Sequence, residues 1–384
     1  MNGFLKKLHH SVKSRPLFYI FLIFFTVQLI LYYKIGIFSD LEAKKYIIQG
    51  NLLFETGKLG ETKYIFYLPV ILLVFLCRLL NTSFHLIIIV QVLLSGVSLW
   101  SFYKLGKYIF NESVAFYACI LLAFFFPLQS WNFYLYSDSI FISLTLIYTY
   151  IVYKNSSKGI RGTAIILSFL ILLFFCRPHG LLFIPPTILY LLLRNQSRIL
   201  FFFSLMFCLC LLGGMYLLLN TAFTGGEDMN AMKPFLEEHV ICFVPLKPEG
   251  AILDFVKTNN PVNDIFYYIF HNPLHFLRLM FLKLASFFNM TRSYYSPSHN
   301  LFLSLYIFPI YILGLTGLYY FIKPLKNFKI FLFALLLLYP LGATFQCDDW
   351  HSRFTMVIFP YVIHLAVFGL YKIITLRTKK HELF

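Results

Sequence analysis

Ten stretches of this chain run on without a single Asp, Glu, Lys or Arg: Pro16–Tyr33, Leu79–Tyr103, Ser113–Ser137, Ser139–Tyr153, Gly162–Cys176, Pro178–Leu193, Ile199–Gly226, Leu301–Ile322, Ile330–Gln346 and Phe354–Tyr371. A helical bilayer crossing needs about 20 apolar residues, with about 17 as a working minimum. The shorter runs must therefore bring their flanking charges to the membrane edge. Only 12% of residues are charged and 59% are hydrophobic, which leaves too little charge to cover a soluble surface and too much apolar area for disorder. The runs predict an all-α polytopic membrane protein of about ten transmembrane helices, one domain over residues 1–384. A further apolar piece, Tyr64–Cys77, is short and contains Pro69. The first run lacks a small-residue cleavage site and does not read as a signal peptide.

Short basic loops stay cytoplasmic. Lys6, Lys7, Lys13 and Arg15 put the N-terminus inside, and Arg377, Lys379 and Lys380 do the same for the other end. Lys104/Lys107, Lys154/Lys158/Arg161, Arg194/Arg198 and Lys323/Lys326/Lys329 mark four more inner loops. All six assignments hold together if Tyr64–Cys77 dips into the outer leaflet without crossing. The outer side then receives residues 36–64, a first loop with a juxtamembrane helix, and residues 221–300, a large loop with an amphipathic helix. It also receives the corners at Asp138 and Arg177–His179 and the loop Cys347–Arg353. Nearly every acidic residue falls there. The net charge of +16 resides largely in the inner loops, and no basic-aromatic array points to nucleic acid.

Charged groups at span ends are costly unless paired or solvated in a cavity. Asp138 abuts an apolar run, where it is a helix cap, a functional carboxylate, or both. Arg177 opens Pro178-His179-Gly180 on the outer side, against the usual charge bias, as a snorkelling anchor or a functional cation. Asp40 follows the first span directly, as a solvated cap or as a base facing a lipid-level cavity. Asp348 and Asp349 either pair with Arg353 or leave its planar fork for phosphate oxygens. Arg278, Lys283 and Arg292 add outer positive charge. Cys242 and Cys347 both face out and could pair, while His271, His275, His299 and His351 match no zinc spacing. No metal and no cofactor is expected.

In order along the chain, Asp40, Tyr46, Gly50 and Gly57, then Leu68-Pro69, Ser137-Asp138, Arg177-Pro178-His179-Gly180, Asn272-Pro273 with Phe276, Leu277, Arg278 and Lys283, and His351-Ser352-Arg353-Phe354 with Pro360 resemble the motifs of the GT-C glycosyltransferases. The likeness is particularly to glycosyltransferase family 39, which includes protein O-mannosyltransferases and lipid A aminoarabinose transferases. Asp stands here for a commoner Glu at 138, and Phe354 for a usual Tyr. The resemblance implies a polyprenyl-phosphate-linked sugar donor, inversion at the anomeric carbon, and a lipid, glycan or protein acceptor. On that basis Asp40 is the general base, with Asp138 and Glu42 positioning acceptor or donor. Arg353, Lys283 and Arg177 neutralise the leaving phosphate, with His351 and Tyr294 as lesser contributors. The expected setting is a bacterial inner membrane with the site on the periplasmic face. Two alternatives stand beside this reading: a lipid or solute transporter or flippase, and a ligase or polymerase using a diphosphate-linked oligosaccharide. Transporter sites usually lie at the bilayer midplane. Mid-span polar residues here are sparse, chiefly Gln91, Ser95 and Ser98.

Overall fold

A computed structural model describes residues 14–155, 158–193, 198–223, 232–258, 260–323, 328–348 and 351–381. Lys6, Lys7, Lys13, Arg194, Lys326, Asp349 and Trp350 lie outside the described residues. The described backbone is helical, with isolated bridges in place of strands.

The first helix, α1 (Pro16–Ile35), opens on a proline whose missing N–H costs nothing in the first turn, and it stops at Gly36, which has φ 66°. A short juxtamembrane helix, α2 (Glu42–Thr56), closes on Gly57 at φ 70°. Then α3 (Leu68–Leu79) is preceded by a 3₁₀ turn, Thr62–Tyr67. Helices α2 and α3 pack side by side. At their crossing a Cβ on Gly50 would sit inside the Val74 side chain and within 3.1 Å of the Ile71 carbonyl. Gly50→Ala is expected to prise the two helices apart, costing about 1–3 kcal/mol in a melting measurement.

By length and composition Thr62–Leu79 is long and apolar enough to cross a membrane. Its two ends meet the first loop and the last turns of α1. At the near end Tyr67 packs on Tyr46 of α2, at 5.2 Å between ring centroids. Just beyond the far end His85 Nε2 lies 3.0 Å from the hydroxyl of Tyr32, in the last turns of α1.

Next come α4 (His85–Ile109) and α5 (Glu112–Phe124). The run Ser113–Ser137, expected as one span, is broken: α5 and the short helical piece Phe126–Phe133 meet at 64°. The cause is Pro127, and polar side chains satisfy the groups the break exposes. Gln129 Nε2 donates to the Leu122 carbonyl (2.9 Å), and Gln28 Nε2 donates to Gln129 Oε1 (2.8 Å). Asn132 Nδ2 donates to Gln28 Oε1 (3.0 Å), and Ser139 Oγ donates to Asn132 Oδ1 (2.5 Å).

The bundle continues with α6 (Ser137–Asn155), α7 (Gly159–Cys176), α8 (Ile184–Leu193) and α9 (Arg198–Phe223). Two amphipathic helices of the large loop follow, α10 (Pro261–His271) and α11 (Pro273–Phe288), then α12 (Pro297–Phe321), α13 (Phe328–Ala343) and α14 (Phe359–His381). Helices α12 and α14 touch backbone to backbone where Gly317 meets the Leu365 carbonyl and Gly369 meets the Leu313 carbonyl, the small-residue packing that membrane helices favour.

Among the described residues six helices are long and apolar enough to cross, or seven if the bent pair counts as one span. The count leaves out α9, whose described apolar stretch is Phe202–Gly214. Helix α6 carries Ser137, Asp138, Ser139, Ser143, Thr145 and Thr149 and is buried along nearly its whole length, so it is shielded by other helices from lipid. Helices α8 and α13 have only 10 and 16 residues.

Two ties hold the loops at one end of the bundle in place. Phe38 and Tyr134 pair as a parallel bridge: Phe38 N–H donates to Phe133 O (2.9 Å), and Leu135 N–H donates to Phe38 O (3.0 Å). Cys242 and Cys347 form a disulfide, Cα–Cα 5.0 Å, across 105 residues, with Cys242 N–H donating to Asp348 O (2.8 Å) beside it. Reducing this bond, or replacing both cysteines with alanine, is expected to lower stability by about 2–4 kcal/mol. Melting with and without reductant measures it.

Candidate active site

Both ties converge on one end of the bundle, where the ends of α1, α6, α7 and the loop before α14 meet. Leu41 takes φ 56°, a left-handed turn that sends neighbouring side chains different ways. Glu42 opens α2 and points inward. Tyr46, one turn on, donates its hydroxyl to Glu42 Oε1 (2.6 Å), and Arg353 Nη1 donates to Glu42 Oε2 (2.5 Å). The same guanidinium reaches Asp138 Oδ2 at 3.4 Å. Arg177 pairs with Asp138 Oδ1 from the other side. Two carboxylates and two guanidinium groups thus form one chain, Glu42–Arg353–Asp138–Arg177. Phe354 lies beneath both arginines, 5.4 Å from Arg353 and 5.8 Å from Arg177. Tyr136 bridges the first loop, accepting from Glu42 N–H and donating to the Asp40 carbonyl, both at 3.3 Å.

Burial alone would raise the Glu42 carboxyl. Arg353, then Arg177 and the Tyr46 and Arg353 hydrogen bonds, outweigh it and bring the pKa from 4.5 down to about 2. Glu42 is therefore ionised at any physiological pH. Since its folded pKa is depressed, its contribution to stability is complete above about pH 4.5 and is lost as the pH falls toward 2.

Asp40 lies apart from this chain. Its carboxylate is 65% exposed and pairs with Lys44 (2.7 Å). Lys283, on α11, is 2% exposed. Its ammonium has no hydrogen-bond partner among the described residues and sits 4.8 Å above the Phe235 ring; burial pushes its pKa down to about 7. His351 and Tyr294 both pack around Tyr295, where His351 Nδ1 lies 3.4 Å from the Tyr295 hydroxyl. The predicted residues thus divide. Asp138, Glu42, Arg177 and Arg353 come together, Lys283 stands as a separate buried cation, and Asp40, His351 and Tyr294 lie outside.

Asp348 does not pair with Arg353. It accepts from Arg292 Nη2 (2.5 Å) and from Ser286 (2.9 Å), while the same Arg292 nitrogen donates to Ser352 Oγ (2.8 Å). This buried pair ties the loop to Arg292, just before α12. Tyr136 and Phe354's place beneath the arginines were missed. The only signal in the sequence was their adjacency to Ser137-Asp138 and to Arg353.

A family model described as dolichyl-phosphate-mannose-protein mannosyltransferase matches residues 67–220. No curated protein matches the chain. The matched stretch contains Asp138 and Arg177, while Glu42 and Arg353 lie outside it. The chain is a polytopic all-α membrane protein, and a stretch covering less than half of it is similar to that mannosyltransferase family, one of the GT-C glycosyltransferase families. Glycosyltransferase activity of that type, with a sugar donor, an acceptor and a lipid bilayer around it, is what the match implies.

Proposed function

We propose that the chain transfers a sugar from a polyprenyl phosphate to an acceptor hydroxyl at the outer membrane face, inverting the anomeric centre. The observation that carries this reading is the convergence of paired carboxylates and guanidinium groups at the ends of separate helices, at one face of the bundle. Inverting transfer from a phosphate lipid needs a base for the attacking hydroxyl and charge for the departing phosphate.

In the proposed step the acceptor oxygen attacks the anomeric carbon. The bond from that carbon to the phosphate oxygen breaks, the hydroxyl proton passes to a carboxylate, and polyprenyl phosphate leaves as an anion. Glu42 is better placed than Asp40 for the proton, because it lies in the cluster rather than in solvent. Arg353 offers its fork to the phosphate oxygens. A donor phosphate that draws Arg353 toward itself weakens its grip on Glu42 and raises the basicity of that carboxylate when the donor is in place. Asp138 and Arg177 hold Arg353 in position, and Lys283 adds positive charge from α11. The ionisable groups collect at one end rather than mid-bundle, which favours an enzyme over a transporter. The Cys242–Cys347 disulfide suits an oxidising outer compartment such as the bacterial periplasm.

If Lys283 contributes to the donor site, donor affinity should fall as the pH rises above about 7, where the ammonium loses its charge. Lys283→Met should weaken binding and remove that slope. Donor KM measured from pH 6 to 9 tests it, and an unchanged profile in the variant takes Lys283 out of the site.

A further inference from the structure

Beside the charged chain lies a cavity, about 230 Å³ in volume, in which Glu42, Asp138 and Arg353 take no part. It is walled by Trp131 and Tyr134 from the break after α5, by His299 and Leu303 of α12, and by His351 and Ser352 of the last outer loop. The rings interlock. Tyr295 stacks on His299 at 4.5 Å, His351 stands edge-on to Trp131 at 6.0 Å, and Trp131 packs against Tyr134 at 5.2 Å.

Three features decide what fits. The volume lies below the about 300–1,000 Å³ of sites for drug-sized ligands, so the cavity takes a single ring and excludes a chain of several isoprenes. Its walls combine aromatic faces with imidazole and hydroxyl groups. An aromatic face carries partial negative charge and attracts the polarised C–H bonds of a ring, while imidazole nitrogens and hydroxyls serve the ring's own hydroxyls. Charged groups are missing from the described lining, which argues against phosphate. A pyranose has this mixed character.

The cavity also adjoins the reaction site. Ser352 lines it, and the next residue, Arg353, holds Glu42. Trp131 lies 6.0 Å from the ring of Tyr136, whose hydroxyl meets the Glu42 N–H. We infer that this cavity is a subsite for a pyranose ring of the acceptor, so that the acceptor is a carbohydrate rather than a protein side chain. The inference rests on the transferase reading above only for the word acceptor; ring binding stands or falls by itself.

Saturation-transfer NMR on the full chain in nanodiscs tests it, with methyl hexopyranosides and N-acetyl threonine amide as probes. The glycosides should receive saturation with the wild type and the threonine amide should not. Transfer should drop by about fivefold in His299→Ala and in Trp131→Leu; the partly exposed His299 keeps the test open if the buried Trp131 variant misfolds. Relative to the wild type, His299→Ala should turn over the glycosides with a raised acceptor KM and a near-normal kcat. No saturation of the glycosides, equal saturation in both variants, or preferential saturation of the threonine amide would overturn the assignment. Glycoside binding that depends on these residues, without turnover of any lipid-phosphate sugar, would uphold the ring site and remove the transferase reading.

Discussion

Glu42→Gln should lower kcat by about 10²–10⁴-fold, the usual contribution of a positioned base, while leaving donor binding in place. Gln keeps the size and one acceptor oxygen for Tyr46, but it can neither take a proton nor balance Arg353. The companion variant separates the two candidate carboxylates. Asp40 is exposed and paired only across a surface turn with Lys44, a contact worth about 0–1 kcal/mol. Asp40→Asn should therefore turn over at close to the wild-type rate. Single-turnover rates with excess enzyme, alongside donor binding, compare the pair. A slow Asp40→Asn with a normal Glu42→Gln would return the base to Asp40.

The second large effect belongs to Arg353. Its guanidinium holds Glu42 at 2.5 Å and Asp138 at 3.4 Å and is the proposed partner of the donor phosphate. Charge-assisted hydrogen bonds contribute about 1.5–3 kcal/mol each, so Arg353→Ala should raise the donor KM by about 10–100-fold. Removing one member of a buried ion pair also destabilises by about 3–5 kcal/mol, here lessened for Asp138 because Arg177 remains. Arg353→Lys keeps the charge and the fold but loses the fork. It should still show a raised donor KM, which a purely structural role would not produce. Equal donor affinity in the lysine variant would take Arg353 out of the phosphate site.

The bilayer made the architecture legible. Spanning helices impose a one-dimensional rule, and the ends of apolar runs at Asp138, Arg177 and Arg353 already marked three of the four clustered residues. What stayed hidden depended on local backbone geometry and on pairing. Asp40 and Glu42 are two residues apart, and the left-handed turn at Leu41 decides which faces inward; no periodicity reveals that. Asp348 had Arg353 as its nearest basic neighbour in sequence, yet it pairs with Arg292, 56 positions away. The Ser113–Ser137 run looked continuous because Gln129 and Asn132 are uncharged, although they are what makes the break at Pro127 tolerable. The disulfide of Cys242 with Cys347 was open in the sequence and is formed in the fold.

The most direct test is a turnover assay of the full chain in nanodiscs with a panel of radiolabelled polyprenyl-phosphate sugars, wild type against Glu42→Gln. The account expects the wild type to release free polyprenyl phosphate and the variant to bind donor without releasing it. Release at equal rates by both proteins, or release of a polyprenyl diphosphate instead, would contradict it.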